Sequence, residues 1–141
     1  MPDVDLKASA LRWLRRARSN LARARLPRPE DAVWNDYCFD AQQAAEKALK
    51  SVLILNGVRP QQTHDIQRLV GDLERAGVKV PDDVRTAKTL TPYAVTGRYP
   101  GREEDVEEEE YREAVGTAER VVVWAEGVIG SVVDEPRDGK G

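Results

Sequence analysis

One arginine and one histidine set the chemical possibilities of this chain. They occur in the string Arg59-Pro60-Gln61-Gln62-Thr63-His64, an Arg-x4-His spacing. An imidazole accepts or delivers a proton near neutral pH, and a guanidinium grips a phosphate through its planar fork of donors. Together they suffice for metal-independent attack of a ribose 2′-hydroxyl on the adjacent phosphodiester. His64 also reads as a capping residue whose ring bonds backbone at the mouth of a helix, with no chemistry at all. The spacing alone does not choose between these two readings.

Other chemistries lack their parts. The chain has 141 residues, 33% of them charged and 40% apolar. That is enough for one core and too little for two ordinary ones. Cys38 is the only cysteine, so no intrachain disulfide forms, and Cys38 with His64 falls short of a four-ligand structural zinc site. Cys38 sits among apolar neighbours and reads as a buried thiol. Neither a GxxxxGK[ST] loop nor a GxGxxG after a strand is present, so no nucleotide cofactor is implied. The acidic block Glu103-Glu104-Asp105 and Glu107 to Glu110 reads as a solvated helix start rather than a metal site. No apolar run reaches the ~20 residues of a membrane span, and no signal-peptide pattern opens the chain. The cytoplasm is the expected compartment.

The elements that must position His64 are helical. Leu6, Ala10, Trp13, Leu14, Ala17, Leu21 and Ala24 recur at three- and four-residue spacing, predicting an amphipathic helix over 5–25 stopped by Leu26-Pro27-Arg28-Pro29. Pro29-Glu30-Asp31 looks like the start of a second helix, about 40 Å long at ~1.5 Å per residue, that ends at Asn56-Gly57. The alanines along its middle predict close helix–helix approach. A third helix is expected from Thr63-His64-Asp65, with Thr63 as its N-cap, to Gly77. A fourth opens at Pro81-Asp82-Asp83 and carries Val84, Ala87, Leu90 and Tyr93. Thr96 to Asp105 reads as loop, and a fifth helix begins near Glu107. The expected organisation is one all-α bundle over 1–130 and a flexible tail over 131–141.

Charge is unevenly distributed along this pattern. Residues 1–28 hold eight Lys/Arg against Asp3 and Asp5, a local +6, so the rest carries −9 to give the overall −3. Opposite charge at the two ends suggests that the first and last helices lie side by side. It also suits a basic face for phosphates.

Three segments in a fixed order give this chain a family resemblance. They are Phe39-Asp40-Ala41-Gln42-Gln43-Ala44-Ala45-Glu46-Lys47-Ala48-Leu49-Lys50, then Thr63-His64-Asp65-Ile66, then Arg98-Tyr99-Pro100. Together they resemble the HEPN family, the higher-eukaryote and prokaryote nucleotide-binding domains, over residues 8–130. The resemblance implies an antiparallel bundle of four long helices with a short additional one, commonly a homodimer. It implies a neighbouring minimal nucleotidyltransferase (MNT) as partner in a toxin–antitoxin-type pair. It also implies a metal-independent endoribonuclease in which the Arg-x4–6-His motif of each protomer lines a shared cleft, with Arg59 and His64 as the catalytic pair and RNA as substrate. Pro60 stands where active members usually place a polar residue. Ile66 stands where one toxin subgroup has a tyrosine that its partner modifies. These departures resemble the stand-alone branch of the family.

The remaining matched residues have two readings each. Gln43 and Lys47 would reach a nucleotide or second protomer, or else make helix–helix hydrogen bonds. Arg98 and Tyr99 would anchor the loop after the fourth helix or share in the cleft as phosphate ligands. Glu46 and Lys50 read as an i,i+4 pair worth tenths of a kcal/mol. The alternative function is a non-catalytic module that binds a nucleotide or docks the nucleotidyltransferase, or a bundle that holds a partner through its acidic fifth helix.

Overall fold

A computed structural model of the chain describes residues 2–94 and 105–132. The helices are α1 (Pro2–Ala24), α2 (Trp34–Leu55), α3 (Ile66–Arg75), α4 (Asp82–Arg85), which passes directly into a 3₁₀ segment (Thr86–Ala94), and α5 (Glu108–Gly130). Among the described residues there is no strand, and no helix is long and apolar enough to cross a membrane. The architecture is the expected all-α bundle, with α1, α2, α3 and α5 around one core and α4 with its 3₁₀ extension as the short additional helix. Arg98, Tyr99 and the tail beyond residue 132 lie outside the described residues.

Helix α2 occupies the centre, packed against α1, α5, α3 and the 3₁₀ segment. Small residues permit this: Ala41, Ala44, Ala45 and Ala48 of α2, and Ala10, Ala17 and Ala24 of α1, are fully buried. With no side chain beyond Cβ, the two backbones approach closely, as the alanine pattern predicts. Leu14, Leu49, Leu53, Leu69 and Ile129 fill the remaining space. α1 runs antiparallel to α5, since Arg18 meets Glu126 while Arg25 meets Glu119. The expected side-by-side placement of the oppositely charged terminal helices is what the structure shows.

Two boundaries differ from the sequence reading. α2 starts at Trp34, not at Pro29, because residues 29–32 close a separate turn, with the Ala32 N–H bonding the Pro29 carbonyl at 3.1 Å. The Arg28 guanidinium ties down that turn through the Ala32 carbonyl (2.6 Å) and lies 4.6 Å from the Trp34 ring. Trp34 in turn stacks on Tyr111 of α5 at 4.2 Å between ring centroids. The second difference is the cap of α3. The Asp65 carboxylate accepts from the N–H groups of Gln67 and Arg68, so Asp65 is the N-cap, whereas Thr63 accepts only from the Asp65 N–H.

α2 ends in a paired hydrogen-bond lock. Gly57 (φ +78°) donates to the Ile54 carbonyl at 2.9 Å and Val58 donates to Leu53 at 3.0 Å. The left-handed residue reverses the chain, and residues 58–65 return beside α2. That return is what brings His64 back to the helix it has just left.

Candidate functional site

Residues four apart on a helix share a face, and Gln42, Glu46 and Lys50 form such a row on α2. They are buried to 0, 4 and 7% exposure, in phase with Cys38 and the core rather than with the solvent. A buried charge is tolerated only when it is paired and hydrogen-bonded. Lys50 Nζ donates to Glu46 Oε2 at 2.8 Å, and Gln42 Nε2 donates to Glu46 Oε1 at 3.1 Å. The returning segment supplies the third partner, His64, whose Nδ1 lies 2.8 Å from Glu46 Oε1. Gln42 Nε2 also reaches the His64 backbone carbonyl at 3.2 Å, so one amide holds the carboxylate and the histidine main chain together.

Burial pushes the Glu46 carboxyl up, but hydrogen bonds from Lys50, His64 and Gln42 and the charge of Lys50 outweigh it. Its pKa therefore lies below the ordinary glutamate value, and the group is ionised at neutral pH. An ionised carboxylate accepts hydrogen bonds and donates none. The hydrogen on the His64–Glu46 contact therefore belongs to Nδ1, and in the neutral ring Nε2 carries the free lone pair. The His64 side chain is 62% exposed against 5% for Glu46, so the ring is anchored by its buried edge with Nε2 on the other. This is the arrangement of an oriented general base: a solvent-accessible imidazole nitrogen whose tautomer is set by a buried carboxylate.

His64 is thus not the cap of α3; that role belongs to Asp65. Glu46 is not half of a marginal surface pair, because both it and Lys50 are buried. The sequence reading missed the Glu46–His64 contact, although it left a signal. Polar residues at i, i+4 and i+8 fall on the buried face of an alanine-rich helix, where they need an internal purpose.

The other predicted residues divide. Arg59 is on the same return segment as His64 and is exposed; among the described residues it makes no hydrogen bond or ion pair, with His64 or any carboxylate. Lys47 Nζ donates to Asn20 Oδ1 of α1 at 2.8 Å, and Asn20 Nδ2 donates to Asp40 Oδ1 at 3.0 Å. Burial lowers the Lys47 pKa, as do Arg16 and Arg23 nearby. The helix–helix hydrogen bond is therefore realised at Lys47. Gln43 bonds within α2, donating to Gln42 Oε1 at 2.7 Å and to Glu46 Oε1 at 3.4 Å. Ile66, at the position of the subgroup's tyrosine, is fully buried, with its N–H bonded to Thr91 Oγ1 of the 3₁₀ segment at 3.1 Å.

A sequence model of the HEPN domain matches residues 10–128. The chain therefore belongs to the HEPN family. Its fold is similar to the crystal structure of an archaeal HEPN homologue, with a TM-score of 0.67 and 26% sequence identity, over 85% of this chain and 97% of the other. No curated protein matches the sequence.

Proposed function

We propose that this HEPN protein is a metal-independent endoribonuclease with His64 as general base and Arg59 as phosphate ligand, working in the cytoplasm as a homodimer. The observation that carries this reading is the 2.8 Å contact from His64 Nδ1 to the buried Glu46 carboxylate. Such an anchor fixes the tautomer and leaves Nε2 to remove the proton from a ribose 2′-hydroxyl. The 2′-oxygen then bonds to phosphorus, the bond to the 5′-oxygen breaks, and an imidazolium returns a proton to that leaving oxygen. The products are a 2′,3′-cyclic phosphate and a 5′-hydroxyl. Arg59, which has no carboxylate partner among the described residues, offers its fork to the non-bridging oxygens as charge develops. In a homodimer two such pairs would share one cleft, one imidazole acting as base and the other as acid. Gln43, Lys47, Arg98 and Tyr99 belong to this reading as residues that hold the substrate's phosphates or the second protomer. An MNT-type nucleotidyltransferase is the proposed partner in a toxin–antitoxin-type pair.

The second reading is a module that binds a nucleotide or docks the nucleotidyltransferase without cleaving anything. Pro60 favours it, because it removes a donor and fixes the backbone beside Arg59. One experiment separates the two. Transfer RNA is incubated with wild type, His64→Ala and Arg59→Ala in EDTA, and fragment ends are mapped. Cyclic-phosphate ends from wild type, abolished by His64→Ala and reduced at least tenfold by Arg59→Ala, are expected. Intact RNA with wild type, or equal fragments from all three proteins, overturns the ribonuclease reading.

A further inference from the structure

The basic side chains on and just after α1 meet different partners: Arg23 pairs with Asp40 of α2 at 3.6 Å, and six others divide between two flanks. On one flank of the helix, Lys7, Arg18 and Arg25 turn towards α5. Lys7 Nζ bonds the Val132 carbonyl at 2.6 Å, Arg18 bonds Glu126 at 2.6 Å and Arg25 bonds Glu119 at 2.5 Å. On the other flank Arg12, Arg15 and Arg16 meet no carboxylate among the described residues. Among the described residues, Arg12 bonds only Ser9, Arg16 meets only the Trp13 ring at 5.9 Å, and Arg15 makes no hydrogen bond or ion pair. No Asp or Glu occurs between Asp5 and Glu30, so this flank lacks the alternating signs of an ordinary solvated helix face. Like charges at i, i+3 and i+4 repel, yet these three are kept together with no carboxylate partner among the described residues.

These arginines, Trp13 and Ser19, all on one side of α1, frame an open surface space of about 490 Å³. Trp13 is half-buried, its ring backed by the Lys50 ammonium at 5.9 Å. Trp13 and the imidazole are joined through the interior: the Lys50 ammonium, 5.9 Å from the Trp13 ring centroid, bonds the buried Glu46 at 2.8 Å, and Glu46 meets His64 at 2.8 Å. A basic groove with an aromatic face tracks a single-stranded nucleic acid, whose phosphates meet the cations while a base stacks on the ring. A duplex hides its base faces and has no use for the tryptophan.

We infer that the Arg12–Trp13–Arg15–Arg16 flank of α1 is a binding track for single-stranded RNA that leads the strand to His64. The track names the substrate class of the ribonuclease reading and rests on that reading for the strand's destination, though not for its binding. An acidic segment of a partner protein would satisfy the arginines but would leave Trp13 without a role.

The test separates binding from cleavage by using a fluorescently labelled 2′-O-methyl RNA of about 12 nucleotides, within the usual footprint of single-strand grooves. Lacking the 2′-hydroxyl nucleophile, it is bound but not cut. Anisotropy titrations compare wild type with Arg12→Gln/Arg15→Gln/Arg16→Gln, Trp13→Leu, and the control Arg18→Gln/Arg25→Gln. The triple variant should bind at least tenfold more weakly and flatten the dependence of log affinity on log salt by about 2, at ~0.7 per lost single-strand phosphate contact. Trp13→Leu should cost fivefold or more at an unchanged salt slope. The control should stay within twofold. Equal losses in the triple variant and the control would mean diffuse attraction to net charge and overturn the track. So would an unaffected Trp13→Leu together with full displacement of the RNA by polyglutamate, which would mark a docking face for an acidic protein. Binding as expected beside uncut transfer RNA would refute the nuclease and leave the track standing.

Discussion

Glu46 holds a negative charge where water barely reaches, and four donors, Gln42, Gln43, Lys50 and His64, keep it there. Removing one partner of a buried ion pair strands the other, at a cost of about 3 kcal/mol. Glu46→Gln preserves the shape, leaves Lys50 without its counter-charge and removes the acceptor that fixes the His64 tautomer. It should lower the unfolding free energy at pH 7 by about 3 kcal/mol. With His64 as the base, the cleavage rate should fall by a larger factor than the affinity for uncleavable RNA. The pH dependence has a definite sign. The folded chain holds this carboxyl below the ordinary glutamate value of 4.5. Its stabilisation is therefore complete above about pH 4.5 and is lost as the pH falls below that, through the depressed value. Urea titrations from pH 7 to pH 3 should show wild type converging on Glu46→Gln. Parallel curves would mean that the carboxylate charge does not hold this network together. The sequence displayed both members of the Glu46–His64 contact but not their meeting, because 18 positions and a chain reversal separate them. Short-range spacing offered Arg59 as the partner of His64; the fold supplies Glu46.

At the scale of elements, the start of α3 decides where that imidazole sits. Asp65, next in sequence to His64, satisfies two of the helix's first N–H groups. Asp65→Ala should lower the unfolding free energy by about 1 kcal/mol, read as a lower urea midpoint at an unchanged m-value. Thr63→Ala, which loses only one local bond, should cost less. The reverse order would restore Thr63 as the cap. Helix existence was legible throughout, since a 3.6-residue stripe survives burial. Boundaries were less so: Pro29-Glu30-Asp31 is a valid local start, but the packing of Trp34 and Tyr111 decides the issue from α5, far along the chain. The fourth helix shows a subtler case. Val84, Ala87 and Leu90 are buried as expected, yet they recur at intervals of three, the period of the 3₁₀ helix that residues 86–94 form.

Across the whole molecule, the charge imbalance between the two ends is partly cancelled where α1 and α5 lie together. Those contacts are exposed, with side chains 35 to 52% accessible at Arg18, Arg25, Glu119 and Glu126. Exposed pairs contribute about 0–1 kcal/mol each. Arg18→Ala/Arg25→Ala should therefore shift unfolding by no more than about 1 kcal/mol at low salt, and by less at 1 M salt, where screening acts within ~3 Å. A larger, salt-independent loss would show that α1 is held by charge rather than by its alanine and leucine stripe. The sequence revealed that the ends are complementary, but not that only one flank of α1 is used for it. Which arginines are spare depends on the angle at which α1 packs, and that angle is set by the core.

Cys38 lies fully buried on α2, four residues before Gln42 on the same face. As the chain's only thiol, it makes the protein its own clock. A small alkylating reagent can reach it only after the central helix has come away from its neighbours, so the labelling rate reports how often the native bundle opens. Any ligand that closes over the Gln42–Glu46–Lys50 row slows that clock, whether or not it is ever cut.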